Sequence, residues 1–183
     1  MVATKLMTAE ELERLPDDEN RYELVQGELI RMRPTGFRHA ELAMLLGSFM
    51  IVFVRPRGLG VVGGDGGFVL QREPDTVRAP DLFFVAADRV PQGEAARHFV
   101  DLAPDLTVEI RSPNDSMAAL LAKADECIAA GTRLTWTFDP DARTVVVKTA
   151  GGEIQTLGEA DTLDGGDVLP GFRLPLCDLF GKG

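Results

Sequence analysis

The chain has 183 residues, 45% of them apolar and 26% charged. This is the make-up of one soluble globular domain spanning 1–183, and it excludes collagen-like, coiled-coil and disordered chains. Acidic residues outnumber basic ones 29 to 19, for a net charge of −10, which argues against a general nucleic-acid coat protein. Cys127 and Cys177 form neither a disulfide framework nor a zinc spacing, so a reducing, cytoplasmic setting is expected. Acids precede any apolar stretch at the start, unlike a signal peptide.

Thr8 and Glu11 stand at capping-box spacing and predict a short helix from about Ala9 to Leu15, ended by Pro16, Asp17 and Asp18. Two alternating runs, 22–25 and 28–32, flank Gln26 and Gly27 and predict a β-hairpin. After Pro34 and Gly36 a long helix is expected, about 38–54, closed by Pro56 and Gly58. Its apolar run from Leu42 to Val54 has 13 residues. That is too short to cross a bilayer, so it reads as a buried helix and no membrane is expected.

Short strands are predicted at 59–62, 68–71, 82–85 and 106–110. A second helix, about 116–130, stops at Gly131. Strands follow at 134–138, 144–148 and 154–157, with a turn at 139–142. The tail around Pro170 and Pro175 is expected to be irregular or edge structure. Strands in consecutive runs, with helices free to cover them, give a mixed α/β domain around a central sheet.

Gly58, Gly60 and Gly63 match a dinucleotide fingerprint by letter, but a helix precedes them and a strand follows. The stretch reads as a hairpin turn or bulge, and no organic cofactor is expected. His39 and His98 have no partner at zinc spacing, and a lone His at a helix start reads as packing or surface. Between Arg31 and Arg57 lie five arginines (Arg31, Arg33, Arg38, Arg55, Arg57) against one acid, Glu41. This basic stretch is either a face for a polyanion or a solvated surface paired with acids elsewhere.

Two acids interrupt apolar strands. Asp81 directly precedes the run Leu82 to Val85, and Glu109 lies inside Leu106 to Ile110. Buried acids on neighbouring strands need a partner or a metal, and together would suit Mg²⁺ or Mn²⁺. The alternative has Asp81 capping a turn and Glu109 alternating outward to solvent. On a helical wheel of the second helix, Lys123 falls beside an apolar arc of Leu120, Leu121, Ala124, Cys127 and Ile128. Asp125 and Glu126 point well away. From that edge Lys123 can snorkel toward Glu109 or form an ordinary salt bridge.

The ordered set of Tyr22-Glu-Leu-Val-Gln-Gly-Glu-Leu, an early helical His39, Pro80-Asp81, Pro104 through Pro113 with Glu109 inside it, Lys123, Gly131, Trp136 and Asp139-Pro140 resembles the Uma-two-type endonucleases. These are a branch of the PD-(D/E)xK superfamily with the restriction-endonuclease-like fold. The resemblance runs from about Met7 to Phe180. It implies a central mixed sheet flanked by helices and Mg²⁺ bound at Asp81 and Glu109, with the Ile110 carbonyl as a further ligand. It also implies hydrolysis of DNA phosphodiester bonds. Arg111 occupies the superfamily's usual lysine place and could substitute in charge, though a guanidinium is a poor general base; the resemblance implies that in this branch the lysine has moved to the following helix, a position Lys123 fits. Cys127 stands where the branch usually carries Tyr. Glu23 corresponds to an acid of the hairpin motif that reaches the site as an outer ligand or water orienter. The five arginines would contact the DNA backbone, and a homodimer would join two such faces. The competing readings are an inactive nuclease-fold module for DNA binding or assembly, and a hydrolase of small phosphoesters.

Overall fold

A computed structural model describes residues 6–16 and 20–181. In chain order the elements are α1 (Ala9–Glu13), β1 (Arg21–Val25), β2 (Glu28–Met32), α2 (Phe37–Val54), β3 (Gly60–Gly63), β4 (Phe68–Gln71), β5 (Thr76–Arg78) and β6 (Leu82–Ala86). After these come β7 (Leu106–Ile110), α3 (Met117–Ala129), β8 (Leu134–Asp139), β9 (Thr144–Thr149), β10 (Ile154–Gly158), β11 (Thr162–Asp164), β12 (Arg173–Pro175) and α4 (Leu176–Phe180).

The central sheet has six strands in the order β10-β9-β8-β7-β6-β3. Only β7 and β8 run parallel, and α3 is their crossover; the other neighbours are antiparallel. A second sheet, β2-β1-β5-β4, packs alongside, and β11 with β12 form a two-stranded ribbon.

Strand alternation gives the central sheet two different faces. Val108, Ile110, Trp136 and Phe138 point into the main core with Leu42, Leu46, Met50 and Val54 of α2, and with Phe172, Leu176 and Phe180 of the C-terminal segment. Thr107, Glu109, Thr135 and Thr137 take the opposite face and are also buried, because α3 packs over β7 and β8. Thus Glu109 does alternate away from Val108 and Ile110, but into a covered polar layer rather than into solvent.

The capping box forms: the Glu11 N–H donates to Thr8 Oγ1 at 3.2 Å and the Thr8 N–H to Glu11 Oε2 at 3.1 Å. Helix α1 ends at Glu13, before the expected Leu15. Asp17 and Asp18 of the proposed stop lie outside the described residues, as do the first five residues. In the β1–β2 turn, Gln26 and Gly27 have φ of 49° and 80°, the positive pair a two-residue hairpin needs.

Strand β5 was not legible in the pattern; it has three residues and pairs with β1 and β4. The tail is more regular than two prolines imply. Arg173–Pro175 pairs with β11, and α4 then forms because Leu176, Leu179 and Phe180 bury together. Helix α2 with its closing turn, Phe37–Arg57, is 21 residues long and contains an 18-residue window of mean hydropathy 1.5, long and apolar enough by length and composition to cross a membrane. One side of it nevertheless packs on the sheet.

The glycine-rich stretch is strand β3 and its exit, not a hairpin turn. A Cβ on Gly60 would sit 2.0 Å from the Val85 carbonyl oxygen, and one on Gly64 would sit 2.7 Å from that of Asp81. The missing side chains let this segment lie flat against β6 and against the backbone of Asp81. The Asp65 N–H donates to the Pro80 carbonyl at 3.1 Å.

Candidate active site

Asp81 sits where the chain enters β6. The β6–β7 register pairs Leu82 with Val108, and one residue further places Asp81 across from Glu109 on the same face. The Ile110 N–H donates to Asp81 Oδ2 at 2.7 Å. In an extended strand the N–H and C=O of one residue point to the same edge, so the Ile110 carbonyl faces the Asp81 side too. His39, near the start of α2, places Nε2 3.0 Å from the same Oδ2. A carboxylate only accepts, so the imidazole proton is assigned to Nε2.

Lys123 reaches this strand from α3. Its ammonium donates to Glu23 Oε1 at 2.7 Å and lies 2.8 Å from Glu109 Oε1. Glu23, on β1, is 2% exposed and has every partner it needs. Its Oε1 also accepts from the Ala79 N–H at 3.0 Å, and its Oε2 accepts from Arg78 at 2.8 Å. Arg78 is held from the other side by Glu126 Oε2, at 2.9 Å from Nε and 2.6 Å from Nη2. The chain of charges Glu126, Arg78, Glu23, Lys123, Glu109 therefore ties β5, β1 and α3 to β7.

Electrostatics separate the roles. Burial, aided by the charge of Asp81, pushes the Glu109 carboxyl up to about 7, although Lys123 opposes the shift. Burial also pulls on Lys123, but the charges of Glu109 and Glu23 outweigh it and raise the amine above its ordinary value. Lys123 thus stays an ammonium. Burial would raise Glu23 as well, yet Lys123 and Arg78 win and hold it low. For His39 the cost of burial is outweighed by its hydrogen bond to Asp81 and that carboxylate's charge, so its pKa rises. Burial and Glu109 push the Cys127 thiol up to about 12, which makes it an inert wall.

Asp81, Glu109, Lys123 and Glu23 line one cleft of about 700 Å³, with Arg31, Arg33 and His39 also on its walls. The five arginines of the basic stretch do not share this face. Arg38 lines a different depression with Asp178. Arg55 and Arg57 lie past the other end of α2, roughly 24 Å along the axis from His39. Arg57 donates to the Phe53 carbonyl at 2.9 Å and stacks over the Phe53 ring.

Arg111 is committed elsewhere: its Nη1 lies 2.8 and 2.7 Å from the two carboxylate oxygens of Asp139. Sequence reasoning read His39 by itself as packing or surface and counted it only within the family resemblance, and it missed Arg78, which nothing singled out. It also placed Glu126 away from the site, whereas Glu126 anchors Arg78. The early helical position of His39 was its one signal; Arg78 had none.

Among the described residues no group of three or more His, Cys, Asp or Glu side chains is arranged as a ready-made metal centre. The donor set still fits Mg²⁺, which is commonly held by one or two carboxylates while keeping several waters. Glu109 Oε1 is buried and has no aligned hydrogen bond, despite the nearby ammonium, so a lone pair remains for an ion.

The sequence profile of the Uma2 family, described as "Putative restriction endonuclease", matches residues 9–177. The chain belongs to the Uma2 family. Its fold is similar to that of a solved structure described as "a putative nuclease belonging to DUF820 from Anabaena variabilis ATCC 29413". The TM-score is 0.83, with 23% sequence identity over 95% of this chain and 97% of that one. At that identity the likeness shows the fold alone. No curated protein matches the chain. The Uma2 assignment makes this a member of a nuclease family with a mixed α/β, restriction-endonuclease-like fold.

Proposed function

We propose that this Uma2 protein is a Mg²⁺- or Mn²⁺-dependent endonuclease that hydrolyses DNA phosphodiester bonds in the Asp81–Glu109 cleft. The observation that carries the reading is the Lys123 ammonium, 2.8 Å from Glu109 and 2.7 Å from Glu23, in the same cleft as Asp81.

Asp81, Glu109 and the Ile110 carbonyl would hold the ion. When bound, a divalent ion at this place lowers the pKa of an attacking water and polarises the phosphate. Asp81 is kept in one orientation by the Ile110 N–H and His39. Lys123, held protonated, cannot take a proton from water; it orients the water and offsets negative charge that grows on the phosphate. Glu23 acts as a positioning residue, keeping Lys123 aimed at Glu109. Arg31 and Arg33 would contact backbone phosphates at the mouth of the cleft.

The test is plasmid cleavage with Mg²⁺ or Mn²⁺. Nicking that disappears with chelator and in Asp81→Ala and Glu109→Ala supports the proposal. A folded protein that cuts neither plasmid, single-stranded DNA nor RNA with either ion would sink it. Retained DNA binding in that case would favour the non-catalytic module.

A further inference from the structure

Helix α2 has a second face outside the Glu109 cleft, although its Met44, Ser48 and Ile51 share a neighbouring depression with His39 and Asp81. Phe37, Met44, Leu45, Ile51 and Val52 are among the large apolar side chains left exposed, Phe37 at 84% and Met44 at 76%. At 100° per residue they share one side of the helix with Glu41, Ser48 and Arg55. Ser48 stands at the middle of this face. Its hydroxyl donates to the Leu45 carbonyl of its own helix at 2.7 Å, so the midpoint is small and has no free donor to keep wet.

Polar residues on this face are placed symmetrically about Ser48: Glu41 lies seven residues before it and Arg55 seven after. Neither forms an ion pair among the described residues. An antiparallel copy of the helix, related by a two-fold axis at Ser48, would set Glu41 against the partner's Arg55. The same operation brings Met44 near the partner's Ile51 and Leu45 near the partner's Val52. A two-fold interface must be complementary to itself, and both the charges and the apolar side chains of this face meet that condition.

We propose that the exposed face of α2 is a homodimer interface, two α2 helices packing antiparallel with Ser48 on the two-fold axis. The self-matching charges favour a second copy over a lipid surface, which would leave Glu41 without a partner. The arrangement is independent of nuclease activity. It has one geometric consequence for the site: the two His39 residues fall on opposite sides of the axis, roughly 27 Å apart along the helices.

Sedimentation equilibrium on the full chain tests the proposal. The wild type is expected at twice its 19.8 kDa mass. Met44→Glu, at an exposed position, should keep the circular dichroism spectrum and weaken self-association by on the order of 100-fold. Glu41→Arg should weaken it, and adding Arg55→Glu should restore it. In a Cys177→Ser background, which removes the exposed native thiol, Ser48→Cys should cross-link to itself under mild oxidation. A wild-type monomer overturns the proposal, whether or not it floats with phosphatidylcholine vesicles; flotation would assign the face to lipid. A dimer that persists in Met44→Glu, or in which Ser48→Cys fails to cross-link, uses another surface and overturns it equally.

Discussion

The Lys123 ammonium lies 2.8 Å from Glu109 Oε1, and it arrives from the helix after the strand rather than from the strand itself. Its second anchor is Glu23 at 2.7 Å, a residue of another sheet. Two carboxylates at hydrogen-bonding range explain why the amine remains charged in spite of burial. Lys123 therefore works as a fixed cation. Lys123→Ala is expected to lower the cleavage rate about 10²- to 10³-fold. Lys123→Arg keeps a charge with the wrong shape and should recover part of that loss. Single-turnover cleavage of a labelled duplex measures both, and equal rates for Lys123→Ala and wild type would remove Lys123 from the mechanism.

Glu109 carries the cost of this site. Its carboxyl titrates at about 7 in the folded protein, chiefly because of burial, against about 4.5 in an unfolded chain. Between those values the folded state holds a proton that the unfolded state has released, so raising the pH destabilises the fold. A glutamine has no such liability. Glu109→Gln should gain stability relative to wild type as pH rises from about 4.5 to 7. The gain then levels off at on the order of 3 kcal/mol. Urea melts of the metal-free proteins at pH 5 and pH 8 measure it. A variant less stable than wild type at pH 8 contradicts the burial argument. Cleavage should meanwhile be lost.

Arg111 occupies the superfamily's lysine place, two residues after Glu109, yet its guanidinium is taken by Asp139. Burial would raise Asp139, but backbone N–H donors, Ala142 first, and then Arg111 hold its pKa low. The pair fastens the end of β7 to the turn after β8. Arg111→Ala should cost about 1–2 kcal/mol of stability while leaving single-turnover cleavage within about threefold of wild type. A folded Arg111→Ala protein with cleavage as low as Lys123→Ala would return the catalytic role to the strand position.

Most of the fold was legible because its signals are local. Capping at Thr8, the Gln26-Gly27 turn and alternation in Leu106–Ile110 act within a few residues of chain. Strand β5 was illegible because three residues carry no period; only its pairing with β1 and β4 makes Thr76–Arg78 a strand. The same reason hid Arg78 and misplaced Glu126. A helical wheel gives each side chain's direction but not what waits there, and here a strand from the second sheet brings Arg78 up to Glu126. His39 looked like packing because its partner, Asp81, enters from a distant segment. The acids of the site stood out for the opposite reason: a charge inside an apolar strand is visible before any tertiary contact is known.

The basic stretch is divided by the length of α2. Arg31 and Arg33 open onto the cleft, whereas Arg57 is occupied with Phe53 at the far end of the helix. Each arginine that contacts a phosphate releases about one counterion on binding, so it adds about 0.9 to the slope of log affinity against log salt. Arg31→Ala and Arg33→Ala should each reduce that slope by about one and weaken binding most at low salt. Arg57→Ala should leave the slope unchanged, because its guanidinium lies over an aromatic ring away from the cleft. Fluorescence anisotropy of a labelled duplex across a salt series reads all three. A slope that drops for Arg57→Ala and not for Arg31→Ala would move the DNA path to the other end of α2, away from Asp81 and Glu109.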